Sequence, residues 1–276
     1  MKKPYIKESL LNELNLLKIE RIGDLVITKY KGDVIKTSTV SNRYEVFDIV
    51  GYIKEKLETI EKNFKIDKYS LSIKGGVQYL KLYSDKILIN NIDFYKTFYI
   101  TNSTDKSRRL SFKVGLYTNL KNIDYINSNE LDFSKKHLSG VNKLVEESFN
   151  KLDEQIFTEQ IESLRSLDKH IIKLSNIKEV ITTDNEKIGN KRFVSFKNKV
   201  LFNGLFDLTD SERKELFRNK TDILYDFELD AFKVLLTYLS MFSYQDSVII
   251  KKESARILEL TKFMIRKKVL SKIFDL

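Results

Sequence analysis

The stretch at 69–117, YSLSIKGGVQYLKLYSDKILINNIDFYKTFYITNSTDKSRRLSFKVGLY, decides the fold. Apolar and polar residues alternate with period two along 69–74, 78–83, 87–89, 94–101 and 109–117, the spacing of strands with one face turned to a core. Gly75-Gly76 reads as a tight turn, because glycine accepts the positive φ that such turns require. Strands joined by short connections pair antiparallel, so the stretch predicts a meander.

Upstream, Val46, Phe47, Val50, Ile53, Leu57 and Ile60 form one apolar stripe, a helix running to about residue 63 with Ser41-Asn42 as its N-cap. Before it, Lys31-Gly32-Asp33 joins alternating runs at 25–30 and 34–40 into a hairpin. Leu10, Leu11, Leu14, Leu17 and Ile19 predict a helix over 6–20. Downstream the period changes. Leu138, Val141, Val145, Phe149, Leu152 and Ile156 mark a long helix over 134–176, polar residues 182–190 a loop, and 192–196 with 200–202 a short hairpin. Thr209 and Glu212 stand three apart, as in a capping box. Helices over 226–242 and 249–273 close the chain. The expected fold is α+β, with an N-terminal antiparallel sheet and helices at 1–128 and a mainly helical half at 129–276.

The chain has 276 residues, enough to bury a core without covalent staples. Cysteine is absent, which removes disulfides, thiol nucleophiles and zinc-thiolate sites and fits a reducing compartment. No apolar run approaches the ~20 residues of a membrane span, and the basic start Met1-Lys2-Lys3 is followed by no apolar secretory core. A cytoplasmic protein is expected, with no membrane partner. The formal net charge is +10 and the pI about 9.3, which points to an anionic partner, above all nucleic acid. Lysine far outnumbers arginine, in a chain also rich in Asn and Ile, so part of that charge reflects base composition of the coding sequence.

Catalytic constellations are sparse. The two histidines, His137 and His170, have no partner at i+4. Gly75-Gly76 lacks the residues of a phosphate-binding loop. Asp226, Glu228 and Asp230 alternate before Lys233, faintly like a metal-dependent nuclease, but they lead into the apolar run of Phe232, Leu235, Leu236 and Leu239. Acids at a helix start are favoured by its dipole. No cofactor and no bound metal are expected.

The binding chemistry concentrates at 101–109. Asn102, Ser103, Lys106, Arg108 and Arg109 offer an amide, a hydroxyl and three cations between two strands, groups suited to phosphate oxygens, and Lys113 follows on the next strand. Tyr95, Phe98, Tyr99, Phe112 and Tyr117 flank the loop, either as strand aromatics in the core or as platforms for bases. A second basic set, Arg266, Lys267 and Lys268, lies on the C-terminal helix, whose apolar residues Leu260, Phe263, Met264 and Ile273 are expected to dock onto the helical half.

Thr39-Val40-Ser41-Asn42-Arg43-Tyr44-Glu45-Val46 resembles the Ser-x-Arg-Tyr segment of a broad phage- and plasmid-borne family of unknown function. Asn102-Ser103-Thr104-Asp105-Lys106-Ser107 is similar to that family's Asn-Ser-x-Asp-x-Ser loop. Asn119 matches the last residue of its next strand-end motif, and Lys136-His137 echoes the start of its long helix. The resemblance spans about residues 35–240 and implies a mobile-element protein with no established reaction, cofactor or catalytic residue.

The expected function is that of a nucleic-acid-binding accessory protein in replication or recombination of a phage or plasmid, with single-stranded DNA as the candidate ligand. A protein-interaction or virion-associated role and a metal-dependent nuclease are the alternatives.

Overall fold

The computed structural model describes residues 4–127, 132–135, 155–168, 170–182, 186–202, 204–218, 228–242 and 247–273. The fold is α+β, with antiparallel sheets early in the chain and helices later. The chain divides into two compact units. One comprises Met1–Leu88, Ile92–Thr118 and Ile126–Gln160, the other Ile89–Asn91, Asn119–Tyr125 and Ile161–Leu276.

In the first unit, α1 (Pro4–Asn15) buries Leu10 and Leu14. The expected helix to residue 20 stops short, because β1 (Leu17–Ile22) pairs along its whole length with β2 (Leu25–Tyr30). β3 (Asp33–Thr39) completes a three-stranded antiparallel sheet in chain order, so the predicted hairpin at 25–40 is present. α2 (Ile49–Asn63) starts later than expected. Its N-cap is Asp48, whose carboxylate accepts from the Gly51 NH at 3.0 Å, and not Ser41-Asn42.

The second sheet of this unit runs β4 (Lys68–Lys74), β5 (Val77–Ile89), β6 (Ile92–Ser103), β7 (Leu110–Thr118). The run at 87–89 is not a separate strand. β5 continues through it to Asn90-Asn91, both with positive φ (47° and 63°), the conformation that matches strand twist in a two-residue hairpin. β9 (Asp132–Lys135) pairs with β7, where a helix start was expected, its register running from Leu110↔Lys135 to Lys113↔Asp132. Every residue of β7 is buried, so both faces of that strand are covered. Aromatic rings link the residues flanking α2, the sheet and α3 (Gln155–Arg165): Phe47–Phe112 at 6.1 Å, Phe98–Phe112 at 6.0 Å and Phe64–Phe157 at 5.9 Å. Ring pairs of this kind favour a single core packing.

Of the expected long helix at 134–176, α3 is helical as read, whereas 134–135 belong to β9 and 171–173 form a strand. Residues 136–154, His137 among them, lie outside the described residues. α3 ends at Arg165 in i→i−3 bonds such as Leu167 N to Leu164 O at 3.2 Å. In the second unit, which also holds β8 (Ile123–Tyr125), β10 (Ile171–Lys173) pairs antiparallel with β11 (Glu228–Asp230), and α4 (Leu174–Thr182) follows β10. α5 (Glu186–Phe202) overturns both the loop reading of 186–190 and the hairpin reading of 192–202; residues 183–185 are not described. Its buried residues Phe193, Phe196, Val200 and Leu201 recur at helical spacing. α6 (Asp210–Arg218) opens on the capping box: Glu212 accepts from the Thr209 NH at 2.7 Å, and the Glu212 NH donates to Thr209 Oγ1 at 3.3 Å. α7 (Ala231–Leu239) buries all but one of its residues, and α8 (Ser247–Ile273) ends the chain's described part.

α8 docks through Ile250, Ile257 and Leu258, with Glu253, Ser254 and Thr261 also buried. The Tyr238 hydroxyl donates to Glu253 at 2.6 Å, and Arg192 lies 3.6 Å from the other carboxylate oxygen. Burial and the neighbouring carboxylate push the Tyr238 pKa up. Phe263, expected to dock, is 62% exposed instead. Leu260, Met264 and Ile273 have side chains outside the described ones.

Candidate nucleic-acid interface

The loop between β6 and β7 folds back onto its own sheet. Asn102, Ser103 and Thr104 are buried, whereas Lys106, Ser107, Arg108 and Arg109 are exposed. The Asn102 amide donates to the Phe47 carbonyl at 3.3 Å. Thr104 donates through its NH to the Gly76 carbonyl at 2.8 Å, and its hydroxyl meets that of Thr28 at 2.6 Å. The buried Tyr44 hydroxyl donates to the Ser103 carbonyl at 2.5 Å. The two segments that carried the family resemblance, 39–46 and 102–107, therefore meet through Tyr44 and Ser103.

Asp105 organises the exposed turn. Its Oδ1 accepts from the Ser103 hydroxyl at 2.6 Å, from the Ser107 NH at 3.0 Å and from the Ser107 hydroxyl, while Oδ2 lies 3.9 Å from Lys36 Nζ. Burial pushes the Asp105 carboxyl up, but the serine hydrogen bonds and the Lys36 ammonium outweigh it and hold the pKa below its usual value. A Cβ on Gly76 would stand 2.7 Å from Asp105 Cγ, so the Gly75-Gly76 turn lets this carboxylate approach the backbone. Lys106 sits at φ 63°, with its Nζ 5.8 Å from the centre of the Tyr44 ring.

Other cations lie on the segments bonded to this turn, Lys36 directly against Asp105. Arg21 donates from Nη1 to the Tyr44 carbonyl at 2.6 Å and from Nη2 to the Ser41 carbonyl at 3.3 Å. Arg43 is exposed beside Tyr44, and Lys74 is exposed beside the Gly75-Gly76 turn. Arg21, Lys36, Arg43 and Lys74 were missed in the sequence, although Arg43 lies inside the quoted Ser-x-Arg-Tyr segment. Their signal is topological: bonds between residues 59 and 76 positions apart, Tyr44 to Ser103 and Thr28 to Thr104, tie the neighbouring segments to the loop.

The remaining sequence candidates divide. Lys113 is 2% exposed on β7, Asn102 anchors the loop to the Phe47 carbonyl, and the Ser103 hydroxyl bonds Asp105 within the turn. Phe98, Tyr99, Phe112 and Tyr117 are buried, which makes them core residues rather than stacking platforms. Arg266, Lys267 and Lys268 fall within α8, with side chains outside the described ones. Asp226 is not described. Glu228 is exposed on β11, and Asp230 caps α7 by accepting from the Lys233 NH at 2.8 Å. No group of three metal-ligating side chains occurs among the described residues, and none of their helices is long and apolar enough to cross a membrane. No protein-family model matches the chain, and no curated protein or solved structure matches it.

The Tyr44–Ser103 bond has a pH signature. Burial first, then the Asp105 charge, push the Tyr44 pKa from 10.0 up to about 12, against a lowering contribution from the Lys106 backbone. A raised folded-state pKa contributes stability that is complete below the unfolded value near 10.0 and is lost as pH rises towards 12. Tyr44→Phe is expected to be about 1 kcal/mol less stable at neutral pH, for the lost hydrogen bond. It should also lose stability less steeply than the parent above pH 10. Urea melts of both proteins across that range check this; parallel pH profiles would contradict it.

Proposed function

We propose that the chain binds nucleic acid through the exposed run Lys106-Ser107-Arg108-Arg109 and the cations around it, without catalysis and without a cofactor. One observation carries this reading. A locked turn holds its single carboxylate inward on serine hydroxyls and beside Lys36 while exposing Lys106, Arg108 and Arg109, and Arg21, Arg43 and Lys74 are exposed on adjoining segments. Cations on a pre-organised loop meet phosphates with little ordering cost, and guanidinium groups fit phosphate oxygens in pairs. Because four of the five flanking aromatics are buried and the fifth, Tyr95, is half-buried, the mechanism is electrostatic rather than one of base stacking. The setting is replication or recombination of a phage or plasmid in the cytoplasm of its host, with single-stranded DNA as the ligand.

Photocrosslinking tests the location. An oligonucleotide carrying bromodeoxyuridine should crosslink to peptides containing residues 39–46 and 101–109. Crosslinks confined to the second unit would overturn the assignment. A parallel incubation with Mg²⁺ or Mn²⁺ should leave the oligonucleotide intact; divalent-dependent cleavage abolished by Glu228→Ala would restore the nuclease alternative.

A further inference from the structure

The second unit carries an open cavity of about 310 Å³ lined by Leu201, Phe202, Arg213, Lys214 and Phe217. One wall is the last turn of α5. The other is the face of α6 on which 213, 214 and 217 recur at i, i+1 and i+4. Leu201 is buried, while Phe202 and Phe217 are 73% and 71% exposed. Two phenyl rings so open beside one cavity are unusual on a surface with no function there.

The cavity is held open by its own hydrogen bonds. Arg213 donates from Nη1 to the Leu201 carbonyl at 2.7 Å and from Nε to the Leu208 carbonyl at 3.2 Å. These bonds tie the end of α5 to α6 and cover a helix C-terminal carbonyl. They also fix a guanidinium at the rim, next to the exposed Lys214 ammonium.

We infer that this cavity binds a protein partner through an acidic segment with an apolar centre that presents a large side chain. The apolar side chain would lie between Phe202 and Phe217, with a neighbouring carboxylate against Arg213 and Lys214. Among the described residues the lining is apolar with two positive charges and no carboxylate, which is complementary to that pairing. A nucleic-acid strand fits less well. Asp207 and Asp210 are exposed just before and within the first turn of α6, where a continuous phosphate backbone leaving the cavity would meet them. This inference does not rest on the nucleic-acid reading, which concerns the other unit.

The test uses the full chain and a fluorescein-labelled hexapeptide, Glu-Glu-Phe-Leu-Glu-Glu, in anisotropy titrations. Saturable binding with Kd on the order of 100 μM is expected for so small an interface. Phe202→Ala and Phe217→Ala, both exposed and so harmless to folding, should each weaken it about tenfold, and Lys214→Glu similarly. A peptide with Ala in place of Phe and Leu should also bind about tenfold more weakly. Joint alanine replacement of Lys106, Arg108 and Arg109 should change nothing. No saturation below about 2 mM, or equal binding by the Phe variants, overturns the inference, the latter exposing mere attraction to a basic protein. Loss of oligo-dT binding in the Phe variants with peptide binding intact also overturns it, in favour of a nucleic-acid occupant.

Discussion

Joint replacement of Lys106, Arg108 and Arg109 by alanine is expected to lower affinity for single-stranded DNA roughly 100-fold at low salt, with the fold intact. All three are exposed, and the hydrogen bonds that lock the turn run through Asn102, Ser103, Thr104, Asp105 and Ser107. Each phosphate that the variant no longer neutralises should reduce the slope of log K against log salt by about 0.7 on a single strand, so the slope should fall by about 2. The double variant Asn102→Ala with Ser103→Ala provides the contrast. Both residues are buried, so it should act on stability first and on binding only as the turn loosens. Anisotropy against a salt series, with a urea melt of each variant, separates the two. A triple variant that binds like the parent would remove the loop from the interface.

Removing residues 249–276 is expected to unfold the second unit. α8 docks Ile250, Ile257 and Leu258, each at most 3% exposed. At about 1.5–3 kcal/mol per buried side chain these three contribute roughly 5–9 kcal/mol. That is comparable with the whole stability of an ordinary domain, about 5–15 kcal/mol. The truncation also removes Glu253, leaving the buried Tyr238 hydroxyl without its carboxylate. Circular dichroism should show loss of helix and limited proteolysis should attack α4 to α7. By contrast Phe263→Ala, at an exposed position, should alter stability by no more than about 0.5 kcal/mol. A truncated chain with an unchanged thermal midpoint would mean that α8 does not hold the unit together.

The meander at 69–117 was legible in the sequence because period-two alternation and turn residues are local signals, and so was the Thr209–Glu212 capping box. The pairing of Ile171–Lys173 with Glu228–Asp230 was not, since its partners lie 55 or more positions apart and each run is only three residues long. α5 was misread because Phe193, Val194 and Phe196 mimic a strand over a short window. Only the recurrence at Val200 and Leu201 reveals the helix.

At the candidate interface, sequence reasoning found the exposed cations but placed Asn102, Ser103 and Lys113 beside them as polar surface. Polarity alone does not mark which loop residues turn inward. Here that is decided by Tyr44 bonding 59 positions away and by Thr28 bonding 76 positions away. Lys113 is covered because β7 lies inside the sheet with both faces packed. The same long-range packing that hid these residues also brought Lys36 against the turn and tied the segments carrying Arg21, Arg43 and Lys74 to it, which composition showed only as an unplaced excess of positive charge.

The most direct measurement is the affinity of the unmodified chain for a labelled single-stranded oligonucleotide, and for the matching duplex, between about 50 and 200 mM salt. Binding through a set of loop and neighbouring cations should appear as a straight fall of log K with log salt. A slope of about −3.5 to −5 on the single strand corresponds to roughly five to seven phosphates neutralised at about 0.7 each. Absence of binding at 50 mM salt, or an affinity indifferent to salt, would contradict a nucleic-acid interface on this surface.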